Sequence, residues 1–247
     1  DTVYQVLSTS LPLVAGEKQS SSPVMKDMIS PMENTVYFLP NSDARQSQIY
    51  FYIPMGDYNR EENVRREAFN QYISGGFSGL IMNEIREKNS MAYTAYGFAS
   101  SRGLPGAQTY FSGYIGTQND KAVDAIDLYM KLLTDMPERP GRIDNIKSYL
   151  RQSALTDHPD SRNLSLRIAE WKRRGYADDP AKEELPLIDS LTFPDIVDYY
   201  QKNIKGKPII IGVLGNPKDI SIDALKKFGK VIRLNEKKLF NEKDTMF

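Results

Sequence analysis

Two runs, MAYTAYGFAS (91–100) and QTYFSGYIG (108–116), are rich in aromatic, β-branched and small residues, with SRGLPG (101–106) between them. Strand-like texture on both sides of a Gly- and Pro-containing connection predicts an antiparallel hairpin, its loop longer than the tightest type. This feature constrains the chain most. An isolated hairpin is marginal in water and must join a larger sheet, while most of the surrounding sequence has helical periodicity. The predicted class is therefore α+β, with helices packed on one face of a largely antiparallel sheet.

The neighbouring segments fit that class. TVYFLP (35–40) and QIYFYIPMG (48–56) read as strands, and in the second Ile49, Phe51 and Ile53 alternate with Tyr50 and Tyr52. Both faces of this strand are aromatic or aliphatic, so it is expected to be covered on both sides. A helix is predicted over 60–74, with Val64, Ala68, Phe69, Tyr72 and Ile73 on one stripe and Gly75-Gly76 ending it. Ser78 is the expected cap of a second, short helix whose apolar side is Leu80, Ile81 and Ile85.

Thr117 and Asp120 form a T-x-x-D start for a helix bearing Ala122, Val123, Ile126, Tyr129, Met130 and Leu133. One further helix carries Ile143, Ile146, Leu150 and Ala154. Another carries Leu164, Ile168 and Trp171 and is closed by GYADDP; a third is capped by Thr192 and Asp195. KPIIIGVLGNP holds a short buried strand, followed by a small helix over 220–228 and a last strand over 231–234. Residues 1–34 contain Pro12, Pro23, Pro31 and the polar run GEKQSSSP. They read as an N-terminal arm or interdomain linker in which Leu11, Leu13 and Val14 could dock. Residues 35–235 read as the domain and 236–247 as a charged tail.

Composition narrows the functional classes. The 247 residues suit one domain or two lobes. Thirty-two basic residues balance 32 acidic ones, so no basic excess points to nucleic acid or to an anionic membrane surface. No apolar run approaches the ~18 residues of a membrane span. The absence of cysteine removes disulfides, thiolate nucleophiles and cysteine–zinc sites. The chain opens at Asp1 without a basic n-region, which reads as a mature segment or a piece of a longer chain. With the lack of cysteine, it leans toward an exported, periplasmic bacterial protein.

Several catalytic arrangements are missing from the sequence. His158, in the loop TDHPDS, is the only histidine, and a lone imidazole makes no zinc site; it reads as a surface turn residue. There is no H-x-x-E-H, no G-x-S-x-G elbow and no Walker loop. Glu61-Glu62, Asp178-Asp179 and Glu183-Glu184 are adjacent, and neighbours on a helix point about 100° apart, so they read as solvated faces rather than acid–base dyads.

GGFSGLIMNEIREKNSMAYTAYG (75–97) is the most pointed stretch. Arg86 falls near the end of the short helix and Tyr93 seven residues later, at the entry to a strand. A turn at Asn89-Ser90 could bring guanidinium and phenol to one edge of the sheet, where they would suit a peptide carbonyl, a carboxylate or a developing oxyanion. Equally, Arg86 could cap its own helix and Tyr93 could be a core aromatic. Gly75, Gly76 and Gly79 could simply stop a helix, or let backbone approach a ligand closely.

YISGGFSGLIMNEIREKNSMAYTAYG, followed in order by RRGYADDP, IDSLTFPDIVDYYQKNI and IIIGVLGNP, resembles the C-terminal inactive domain of the M16 metallopeptidases, the pitrilysin, insulinase and mitochondrial processing peptidase family. The resemblance runs over roughly residues 46–216. It implies a LuxS/MPP-like α+β domain paired with a similar domain in a clam-like chamber. The partner M16 domain, in the same longer polypeptide or a second subunit, would carry H-x-x-E-H, bind zinc and hydrolyse an extended peptide substrate. This chain would bind no cofactor and contribute no catalytic residue. Arg86 and Tyr93, with the glycine turn Gly75, Gly76 and Gly79, would contact substrate. Asn89-Ser90-Met91 stands where the family often has Leu-Gly-Leu, so the turn that aims Tyr93 lacks its usual glycine.

The expected function is therefore the non-catalytic, substrate-contacting half of a zinc metalloendopeptidase. The alternatives are a structural or assembly subunit on the same scaffold, and a free-standing enzyme using carboxylates.

Overall fold

In the first strand of the hairpin, small residues alternate with aromatic ones, and the structure uses that alternation directly. Ala95, Gly97 and Ala99 point inward while Tyr96 and Phe98 point outward. The computed structural model describes residues 2–10, 28–157 and 159–236. His158, the arm residues Leu11, Leu13, Val14, Pro12 and Pro23, and the tail from 237 onward lie outside the described residues. Within the expected arm, Thr2–Ser10 forms a helix, α1.

Six strands form one sheet. They are β1 (Thr35–Pro40), β2 (Gln46–Asp57), β3 (Thr94–Ser100), β4 (Gln108–Gln118), β5 (Ile210–Gly215) and β6 (Lys230–Arg233), in the spatial order β3-β4-β2-β5-β1-β6. The β3–β4, β4–β2 and β2–β5 pairs are antiparallel, and β5–β1 and β1–β6 are parallel. The predicted hairpin is β3–β4, with Gly97 opposite Gly113.

The helices are α2 (Asn63–Ser74), a short π-helix (Met82–Lys88), α3 (Ala122–Thr134), α4 (Ile143–Thr156), α5 (Leu164–Arg173), α6 (Pro180–Ser190), α7 (Phe193–Asn203) and α8 (Ile222–Leu225). The inward side chains of the sheet, among them Val36, Ile49, Phe51, Ile53, Phe111, Ile115, Ile211 and Val213, pack against them in one core. Every residue of the predicted α2 stripe is buried. Tyr129 of α3 anchors this layer. Its ring stacks on Phe51 at 4.0 Å and its hydroxyl donates to the Tyr96 carbonyl at 2.9 Å. A Cβ at Gly113 would sit 2.1 Å from that hydroxyl oxygen and one at Gly97 2.5 Å from it, so the glycine pair is the space Tyr129 occupies.

The structure corrects four local expectations. Within the described residues β2 is covered on one face only: Tyr50 is 51% exposed on the other. Aromatic residues pointing both ways do not by themselves place a layer on each side. Thr117 does not cap α3; it lies inside β4, and its hydroxyl donates to the Met91 carbonyl. Ser78 does not cap the short helix; its hydroxyl donates to the Gly75 carbonyl at 3.2 Å. Residues after GYADDP form a whole helix, α6, in spite of Pro186. It begins with Pro180 in its first turn and with the Asp179 carboxylate accepting from the Ala181 N–H. The Thr192–Asp195 cap of α7 is as expected, with Asp195 accepting from the Thr192 N–H at 2.9 Å and from its hydroxyl at 2.6 Å.

Candidate functional site

The glycine turn sets where the short helix starts. α2 ends at Gly75, Gly76 takes φ +58°, and Gly79 packs so closely that a Cβ there would meet the Ser74 backbone at 2.7 Å. A Cβ at Gly75 would meet the Gln71 carbonyl oxygen at 2.2 Å. These contacts account for Gly75, Gly76 and Gly79 as geometry. Leu80, Ile81 and Ile85 are then buried beneath the sheet's helical layer.

Past this anchor the helix widens. The widened, π-helical turn runs over Met82–Lys88, and its end is closed by the Met91 N–H, which reaches back to the Ile85 carbonyl at 2.9 Å, and by the Asn89 side-chain amide, which donates to the Glu84 carbonyl at 2.7 Å. Glu84 ties the helix to Arg139 and pairs within the helix with Lys88 at 2.9 Å. Burial pushes its carboxyl up, but the hydrogen bonds from Lys88 and Arg139 outweigh this and hold it below the usual range. π-Helical turns are uncommon and concentrate at functional sites.

The chain leaves the helix through Ser90 at φ +49°, the left-handed conformation that a glycine would take without strain. The turn is therefore made without its usual glycine. It delivers Tyr93, 78% exposed, so that the Arg86 guanidinium lies 5.2 Å from its ring centroid. The two residues that spacing suggested are thus brought together. Neither alternative placement occurs: Asn89 supplies the side-chain cap, and Tyr93 is outside the core. Arg86 Nε also lies 3.6 Å from the neighbouring Glu87 carboxylate, which leaves the two terminal guanidinium nitrogens as the donors placed to meet carbonyl or carboxylate oxygens. The glycine turn lies at the opposite end of the short helix from this pair.

Three polar residues beside the pair are not evident from local spacing. Gln46 and Gln118 face each other across β2–β4, and Lys121 follows Gln118; with Ser90, Tyr93 and Thr117 they line a cleft of about 270 Å³. Lys121 also donates to the Ser90 carbonyl at 3.4 Å. Only the strand register unites positions 46, 93 and 118. Together these side chains offer amide donors and acceptors, a phenol and one cation, with the Arg86 guanidinium beside them, which is chemistry suited to a peptide backbone or carboxylate.

β3 is an edge strand, but its outer backbone groups at Gly97 and Ala99 are occupied. The Gly97 N–H donates to Ser74 Oγ at 2.8 Å and the Ala99 N–H to Asn70 Oδ1 at 2.7 Å; Asn70 Nδ2 in turn donates to the Ala99 carbonyl at 3.1 Å. The Asn70 amide thus takes the place of a peptide group in a further strand, and such plugging blunts an edge against pairing. Among the described residues no group of three or more His, Cys, Asp or Glu could hold a metal ion, and no helix is long and apolar enough to cross a membrane.

Solved structures share the architecture. The peptidase M16 inactive domain from Pseudomonas fluorescens aligns with TM-score 0.62 and 15% identity over 79% of this chain and 47% of its own. A protease from Helicobacter pylori aligns with TM-score 0.66 and 12% identity over 87% and 52%. The periplasmic protease PqqL from Escherichia coli aligns with TM-score 0.61 and 16% identity over 81% and 22%. At these identities the likeness shows the fold, and the chain spans from about a fifth to half of each solved chain. No curated protein sequence matches. The family model described as the peptidase M16 inactive domain matches residues 16–140, just over half of the sequence. With the fold and the ordered motifs, that match establishes that the chain belongs to the peptidase M16 inactive-domain family.

Proposed function

We propose that this chain is the non-catalytic, substrate-contacting half of a zinc-dependent M16-type metalloendopeptidase. The observation that carries the reading is the Arg86–Tyr93 pair, with Tyr93 exposed, at a widened helix end beside a cleft. The partner M16 domain, in the same polypeptide or a second subunit, would supply zinc, whose chemistry is to activate water and polarise the scissile carbonyl. This chain's part is geometric and electrostatic. Arg86 and Tyr93 hold peptide carbonyls or meet the developing oxyanion, while Gln46, Gln118 and Lys121 orient neighbouring backbone groups. Because Asn70 and Ser74 occupy the β3 edge beside the pair, an extended peptide adds as a strand to the partner's sheet rather than at β3.

Reconstitution tests this reading. The chain is mixed with the zinc-binding half encoded upstream in its reading frame or in an adjacent frame, and peptide cleavage is followed. The reading expects no cleavage by this chain alone and zinc-dependent cleavage by the mixture. Cleavage by the isolated chain would overturn it. An inert mixture in which the two halves nevertheless associate would favour a purely structural or assembly role.

A further inference from the structure

Among helices α2 to α8, α5 alone has no buried residue. The Arg167–Asp157 ion pair ties it to the end of α4, and Arg174 just past its end lies against Gly103. Leu166 is 70% exposed, the most of any large apolar side chain in these helices among the described residues. The charges around Leu166 reverse sign about it. Asp160 and Arg162 precede it by six and four residues; Glu170 and Lys172 follow it by four and six. Glu170 lies one turn on, on the same face as Leu166. Arg162 sits as far before it, in the turn that leads into the helix. Within the chain these charges are weakly compensated. Arg162 and Lys172, both exposed, take part in no ion pair among the described residues. The Asp160 carboxylate accepts from two neutral donors, the Asn163 N–H at 2.9 Å and its side-chain amide at 3.1 Å. Glu170 is 3.8 Å from Arg167, whose guanidinium also bonds Asp157.

We propose that α5 is a homotypic contact through which two copies of this chain pair, antiparallel, about a two-fold axis at Leu166. An antiparallel copy centred there sets Leu166 against Leu166, Arg162 against Glu170 and Asp160 against Lys172. Each charged pairing then occurs twice, as an isologous interface requires. A parallel copy in register would set every charge against its like. The helix dipoles also oppose each other in the antiparallel arrangement. Charge thus selects a second copy as the occupant, because the sign reversal about one residue makes this face complementary to itself. The size of the contact sets its strength. One face of a ten-residue helix, about 15 Å long, offers far less than the roughly 800 Å² a side of a stable dimer. The pairing is therefore weak, dependent on concentration and sensitive to salt. It is independent of the peptidase reading, since it uses no residue of the Arg86–Tyr93 site.

Sedimentation equilibrium of the 247-residue chain, between about 5 and 500 µM, tests the proposal. It expects a monomer–dimer equilibrium that weakens as salt rises from about 0.05 to 0.5 M. Leu166→Glu should weaken the dimer about 10-fold or more. Arg162→Glu and Glu170→Arg should each weaken it about 10-fold, because each sets two like-charged pairs across the axis. An equimolar mixture of these two variants should regain the parent affinity, because every pair across the axis is then opposite in charge. Thermal melts by circular dichroism check that each variant is folded, and Leu166→Ser replaces Leu166→Glu if the latter does not melt cooperatively. A chain that stays monomeric throughout the range would overturn the proposal, as would a dimer indifferent to the Leu166 variant. A mixture no tighter than its two components would overturn it too. Loss of association with the zinc-binding half in the Leu166 variant, with the chain alone monomeric, would assign the face to that half instead.

Discussion

Asn70 is a single side chain that closes two backbone groups, and its removal has a calculable cost. Ala99 is 2% exposed, and both its N–H and its carbonyl are satisfied by the Asn70 amide at 2.7 and 3.1 Å. Asn70→Ala leaves a buried donor and a buried acceptor without partners. At about 1–3 kcal/mol for each unsatisfied group, moderated by water entering the space left by the amide, the expected loss is about 2–4 kcal/mol. Urea denaturation followed by circular dichroism measures it, with Asn145→Ala on the exposed side of α4 as the control, expected within about 0.5 kcal/mol of the parent. Hydrogen exchange gives a local readout, because the Ala99 amide should lose protection out of proportion to its neighbours in β4. A loss below about 0.5 kcal/mol with the Ala99 amide still protected would refute the plugged-edge argument.

Three other outcomes follow from the same geometry. Ser90→Gly relieves about 1 kcal/mol of left-handed strain and gives back part of it as unfolded-chain entropy, so the midpoint of denaturation should rise by a few tenths of a kcal/mol or more; a drop would mean that the turn is not strained. Gly113→Ala places a methyl 2.1 Å from the Tyr129 hydroxyl oxygen and should cost about 1–3 kcal/mol, which the double variant with Tyr129→Leu should partly recover by removing the hydroxyl and its bond together. The Glu84 carboxyl titrates below its reference value of 4.5 in the folded chain, so its contribution is complete above that pH and is lost as pH falls through the folded pKa. Glu84→Gln should therefore lower stability at pH 7 and flatten its acid dependence below about pH 4.5, and an unchanged slope would count against the Lys88–Glu84–Arg139 tie.

The hairpin was legible because its alternation and its glycine–proline loop are local signals. The stripe of α2 and the Thr192–Asp195 cap were legible for the same reason. The parallel β5–β1–β6 arrangement was not, because segments separated by some 170 residues leave no mark of their adjacency in either sequence. α6 was hidden by Pro186, which signals a break although the helix tolerates the loss of one internal donor. The open aromatic face was misread since an outward Tyr looks alike whether a layer covers it or not. At the candidate site, Arg86 and Tyr93 were accessible because seven residues connect them. Gln46, Gln118 and Lys121 join them only through the β2–β4 register, and Asn70 reaches β3 from another element altogether.

The most direct test of the central claim is kcat/KM for peptide cleavage by the reconstituted pair carrying Arg86→Ala, compared with the parent pair. Both Arg86 and Tyr93 are surface residues whose ring contact contributes on the order of 1 kcal/mol or less to stability, so the denaturation midpoint should barely move. If Arg86 meets charge developing on the substrate, kcat/KM should fall by about 2–4 kcal/mol in transition-state stabilisation, roughly 30- to 1,000-fold, with a smaller fall for Tyr93→Phe. A value within about twofold of the parent would contradict the account.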